Sequence, residues 1–122
     1  MSEEPSSASA TYDDFAKIDL RVGRVLEVLP FPKARNPSLK VKLDLGALGE
    51  KWSSAQITNY PPDELIGSLV VCVCNFPPRN IAGFLSDVLI LGAPDAEGRI
   101  ILLSPRKDET GADQVAPGAK VY

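Results

Sequence analysis

A chain of 122 residues with 44% apolar and 24% charged residues is sized for one core, so any cleft lies on that single domain or between copies of it. No apolar run approaches the roughly 20 residues that cross a bilayer, and the opening Met1-Ser2-Glu3-Glu4-Pro5 is acidic where a secretory leader is basic, so a cytoplasmic protein with no membrane insertion is expected. A net charge of −3 argues against whole-surface attraction to nucleic acid, and the lack of histidine removes the commonest general base with every Ser-His or Cys-His dyad.

Residues 1–10 hold four serines, two glutamates, a proline and two alanines without a periodic apolar face, which predicts a disordered tail. A single domain then runs over 11–122. Thr11 followed three residues later by Asp14 is a capping signal, and Tyr12, Phe15 and Ala16 form a short apolar stripe. One or two helical turns are expected there, and a helix so short must dock on something to persist. Strand patterning starts at Leu20: Leu20 and Val22 share one parity, Val25, Leu26 and Val28 follow Gly23-Arg24, and the glycine at the break predicts a bulge or bend. Pro30, Pro32 and Pro37 mark a stiff connection that carries Lys33 and Arg35.

Leu39, Val41, Leu43 and Leu45 alternate with Ser38, Lys40, Lys42 and Asp44, the pattern of a strand with one buried face, and Gly46 and Gly49 flank its turn. Lys51 to Thr58 reads as a strand of unusual polarity. Pro61 to Gly67 reads as a short helix, with proline and acids in its first turn and glycine at its end. Leu69 to Cys74 is continuously apolar and predicts a central strand; Val88 to Leu91 and Arg99 to Leu103 predict two more, with Asp95-Ala96-Glu97-Gly98 turning between them. Ala119 to Tyr122 is expected to add an edge strand or an oligomer contact. Five or more short strands, one bent at a glycine, with a helix after the third, predict an all-β fold: a five-stranded OB-fold-like barrel with short helices and flanking terminal extensions. Its binding face would lie across the second and third strands.

Cys72 and Cys74 would face one side of a strand about 6.6 Å apart, too far for an unstrained disulfide, so two buried free thiols are expected. Two thiols with no histidine also leave too few metal ligands, and neither a catalytic constellation nor a cofactor signature is present. Charge is uneven along the chain. Residues 17–51 carry eight bases against Asp19, Glu27, Asp44 and Glu50, a local excess of +4 that makes a basic face conceivable on an acidic protein.

Asn75 to Asp87 is the richest segment, placing consecutive prolines, aromatics and a cation between two apolar strands. Pro77 and Pro78 fix φ and supply no N–H, which holds Phe76 and Arg79 on a stiff arm and lowers the entropy lost on binding. Phe76 and Phe84 offer flat apolar area, and Arg79 can clamp a carboxylate, phosphate or peptide carbonyl. The same aromatics could instead plug the barrel end. Asn75, Ser53, Ser54 and Gln56 each give and accept hydrogen bonds, which suits a backbone of variable sequence, although Asn75 and Gln56 fit better as satisfied buried amides fixing a turn.

Phe15 to Gly23, Ser53 to Thr58, Asn75 to Gly83 and Ser86 to Gly92 together resemble the CsaA family, homodimeric OB-fold export chaperones in the tRNA-binding-domain superfamily. The resemblance covers residues 12–122. It implies a dimer with paired pockets for extended polypeptide, drawing on Arg21, Ser53, Ser54, Gln56, Asn75, Phe76, Pro77, Pro78, Arg79 and Ser86. Asp87 stands where a glutamate is expected, and the acidic tail is atypical. Arg21 could equally form an ion pair with Asp19 or Asp87.

Two functions follow as expectations. In the first, the protein is a non-enzymatic chaperone that holds unfolded or precursor polypeptides in clefts rimmed by Arg21 and Arg79, with Phe84 among the contacts. In the second, the barrel face binds the tRNA backbone through Lys17, Arg21, Lys40, Lys42, Lys51 and Arg79.

Overall fold

The computed structural model describes residues 9–122, so the tail expected over 1–10 falls mostly outside the described residues; Ser9 and Ala10 are exposed. Helix α1 (Tyr12–Ala16) starts at a complete capping box: Thr11 Oγ1 accepts from the Asp14 N–H at 3.3 Å, and the Asp14 carboxylate accepts from the Thr11 N–H at 2.9 Å. The docking expected for it is not found among the described residues. No residue of α1 is buried, and Tyr12 is 72% exposed.

Strand β1 (Leu20–Pro30) is long enough to serve two partners, pairing through Leu20–Arg24 with β4 (Leu69–Val73) and through Arg24–Pro30 with β2 (Leu39–Asp44), both antiparallel. The register shift lies between Val25 and Glu27, not at Gly23 as the parity break suggested. Gly23 has a different role: a Cβ there would sit 2.9 Å from Leu45 Cδ2, so the missing side chain admits that leucine against the strand. β2 alternates as expected, with Leu39, Val41 and Leu43 inward. A 3₁₀ turn (Gly46–Leu48) leads to β3 (Glu50–Ala55), which ends before Gln56-Ile57-Thr58 and is shorter than the sequence suggested. Helix α2 (Pro62–Leu65) follows β3 and inserts Leu65 into the core.

The segment between the apolar strands is folded, contrary to a simple arm. It forms a hairpin of β5 (Arg79–Ile81) and β6 (Phe84–Ser86) turned by Ala82-Gly83, whose Gly83 N–H is caught by the Asn80 side chain. β7 (Leu89–Ile90) then pairs with β4, and β8 (Gly92–Pro94), not anticipated as a separate strand, pairs with β9 (Ile100–Leu102) across the Asp95–Gly98 turn.

The main sheet has the order β3-β2-β1-β4-β7, all antiparallel. Its ends meet where the Asp87 N–H donates to Trp52 O at 2.8 Å and the Ser54 N–H donates to Ser86 Oγ at 2.9 Å, giving the five-stranded barrel. Val25, Val41, Leu43, Ile57, Val70 and Cys72 fill it. The C-terminal segment pairs with the first half of β1 on the side that β2 leaves open, with Val22 N–H to Ala119 O at 2.9 Å and Val121 N–H to Leu20 O at 2.9 Å, so the expected edge pairing is formed.

Candidate binding cleft

The hairpin packs beside β3, and its residues line three hollows. The first, about 200 Å³, has apolar walls from Phe76, Pro77, Val88 and Leu89, and polar ones from Ser54, Arg79, Ser86 and Asp87. The second, about 230 Å³, is lined by Arg35, Asn36, Ser38 and Gln56 together with Ser54 and Arg79, and by Ala34 and Ile81. Ser54 and Arg79 belong to both, so the two hollows form one track with an apolar half and a polar half. The Pro77-Pro78 pair immediately ahead of β5 restricts the approach to Arg79, and pairing opposite Ser86 fixes its place in the hairpin. Arg79 is exposed, and its side chain makes no ion pair or hydrogen bond with the described residues.

A third hollow, about 270 Å³, lies at the hairpin turn between Phe31, Lys33, Lys40 and Phe84. Phe84 meets Phe31 edge-on at 5.2 Å and Trp52 at 6.0 Å, and Lys40 Nζ stands 4.9 Å from both phenylalanine rings. Phe84 is half-buried in this cluster, apart from the side chains that fill the barrel. Lys42 lies two residues on and reaches over Trp52 at 5.9 Å, while Glu50 at 2.9 Å holds its ammonium above the ordinary lysine range.

The remaining candidates separate into structural and peripheral groups. Ser53 is fully buried on the core face of β3, its hydroxyl without a partner among the described residues, and does not reach the track. Arg21 donates to Asp19 at 2.7 Å and to Gly118 O at 3.2 Å, tying β1 to the C-terminal segment. Asn75 Oδ1 accepts from the Asp19 N–H at 2.9 Å and Nδ2 donates to Lys17 O at 2.7 Å, so this amide fixes the entry to β1. Pro78, Lys17 and Lys51 line none of the three hollows. Arg35, Asp87, Phe31 and Lys33 do, although the sequence reading did not place them in the site; the stiff proline-bounded connection was the signal for Arg35 and Lys33.

Cys72 and Cys74 are free, with burial pushing their thiols up to about 12 and about 11; Cys72 is buried as expected, whereas Cys74 is only half-buried. Among the described residues no cluster of three His, Cys, Asp or Glu side chains is placed to hold a metal ion.

A barrel closed through β3 and β6, with a candidate track beside the hairpin, defines a small OB-fold module. Residues 20–113 match the family described as "Putative tRNA binding domain". A CsaA chaperone protein from Picrophilus torridus superposes with a TM-score of 0.84 at 47% identity, covering 93% of this chain and 100% of that one. Chaperone CsaA from Bacillus anthracis gives 0.83 at 42%, covering 94% and 100%. The chain belongs to the tRNA-binding-domain family and, within it, to the CsaA-like proteins. It is also 38% identical over 117 residues to a methionine–tRNA ligase of Porphyromonas gingivalis, covering 96% of this chain but spanning only 16% of that relative's length.

Proposed function

We propose that the protein is a dimeric, export-related cytoplasmic chaperone that binds extended segments of unfolded or precursor polypeptides along the track beside the hairpin. The observation that carries this reading is the sharing of Arg79 and Ser54 by an apolar and a polar hollow. Apolar side chains of a client enter between Phe76, Pro77 and Leu89, while Arg79, Ser54 and Gln56 serve its backbone and polar groups. Likeness to the CsaA chaperones over nearly the whole chain supports it. Anisotropy of a labelled unfolded peptide titrated with the protein at physiological salt, with tRNA added afterwards, tests it. Saturable binding that persists as salt rises moderately is expected, because apolar contact is not screened. Absence of peptide binding and of any delay in client aggregation would overturn it.

A second reading, binding of the tRNA backbone and bases, is favoured by Lys40 between Phe31 and Phe84, a cation on an aromatic platform at the barrel face. It requires tRNA affinity that falls steeply with salt and weakens in Lys40→Glu.

Dimerisation is proposed through the face bearing the C-terminal segment, where a groove of about 500 Å³ lies between Val22, Val71, Leu102, Leu103, Val115 and Val121. Light scattering of a chain lacking residues 118–122 should show a loss of mass, and an unchanged dimer would refute the placement.

A further inference from the structure

The track beside the hairpin is not evenly charged. Arg35 and Arg79 line the same polar hollow, and neither guanidinium has a carboxylate within salt-bridge distance among the described residues. Like charges brought to one small cavity repel unless an anion joins them, and forked donors of this kind suit a carboxylate. In the other hollow, past the walls formed by Phe76 and Leu89, Asp87 is equally without an ion-pair partner, although Arg79 lines that same space. The polar half therefore holds two guanidinia, and the other half an apolar wall with one carboxylate and the shared Arg79.

We infer that the cleft selects client segments carrying opposite charges on either side of an apolar residue, an acidic side chain placed at Arg35 and Arg79 and a basic side chain at Asp87. The inference rests on the polypeptide-binding reading and names the class of segment bound. A segment with acids on both sides meets Asp87 unfavourably, and one with bases on both sides meets the arginine pair. Like-charge juxtaposition of this kind rejects wrong partners more effectively than the matched pairs add affinity.

Three labelled nonapeptides with the same apolar centre test this: acid on one flank and base on the other, acids on both, and bases on both. Anisotropy with the full chain at low and physiological salt should rank the mixed peptide about five- to tenfold tighter than either uniform one, a discrimination set by a few partly exposed charge contacts. Asp87→Lys should shift the preference to the doubly acidic peptide and the joint reversal Arg35→Glu with Arg79→Glu to the doubly basic one, with circular dichroism confirming that both variants fold. Equal binding of the three peptides, or unchanged ranking in both charge-reversed variants, overturns the inference while leaving polypeptide binding intact. Failure of all three peptides to bind overturns the polypeptide reading beneath it, and the inference with it.

Discussion

Ser86 Oγ accepts the backbone N–H of Ser54 at 2.9 Å and donates to Val88 O at 3.4 Å, so one hydroxyl joins the hairpin to the far edge of the barrel. Ser86 is buried, and Ser54 is the residue common to both halves of the track. Barrel closure and cleft geometry thus depend on the same bond. Ser86→Ala leaves the Ser54 donor without that partner, and urea unfolding should show a loss of about 1–3 kcal/mol, the cost of an unmet buried donor.

Asn75→Ala should cost about 1–2 kcal/mol, because two hydrogen bonds of about 1 kcal/mol each are lost at the entry to β1. Hydrogen exchange offers a local check: protection of the Asp19 amide should fall in the variant, while that of Val70 in the barrel core stays near the wild-type value. A change in peptide binding with unaltered Asp19 protection would instead make Asn75 a ligand contact.

Phe76 and Phe84 share a residue type but should respond differently to truncation. Phe84 is wedged among Phe31, Trp52 and the Lys40 ammonium, whereas Phe76 is 46% exposed on the wall of the apolar hollow. Phe84→Ala is expected to cost about 1–2 kcal/mol through lost burial of the half-buried ring and its edge-on aromatic contacts. Phe76→Ala should change stability by no more than about 0.5 kcal/mol, as exposed positions do, and should lower peptide affinity. Titration and chemical unfolding of both variants separate the two roles.

Ala82 has φ 50° in the two-residue hairpin turn, where a Cβ is unfavourable and the following Gly83 has φ 85°. Such turns favour Asn-Gly. Ala82→Asn should stabilise the fold by about 0.5–1 kcal/mol, read as a rise in the thermal midpoint.

Both thiols should resist alkylation in the native state. With the Cys74 thiol pushed to about 11 from an ordinary 9.0, its thiolate fraction at pH 8 falls about 100-fold, and the deeper Cys72, at about 12, reacts more slowly still. Mass spectrometry after iodoacetamide treatment should find both unmodified in the folded protein and both labelled in urea. Because each folded value lies above the unfolded one, the neutral thiols contribute stability that is fully present below pH 9 and is lost as pH rises through 11 to 12. Unfolding midpoints measured from pH 8 upward should therefore decline only at the alkaline end.

Local patterning was enough to locate most strands and both helices. The alternation over Leu39–Leu45 demands a half-buried strand, the apolar run from Leu69 demands an internal one, and the Thr11–Asp14 box starts a helix wherever it occurs. The five-strand barrel also followed from the chain and its resemblance to CsaA. The partners of individual polar side chains did not, because they are set by residues far apart in sequence. Arg21 meets Gly118 across 97 positions, Asn75 meets Lys17 across 58, and Ser54 meets Ser86 across 32. Alternation reports which face a residue takes but not which segment covers that face. Only closure of the barrel put Ser53 in the core and Ser54 on the track, and only the hairpin brought Arg79 to the hollows that Arg35 and Asp87 line.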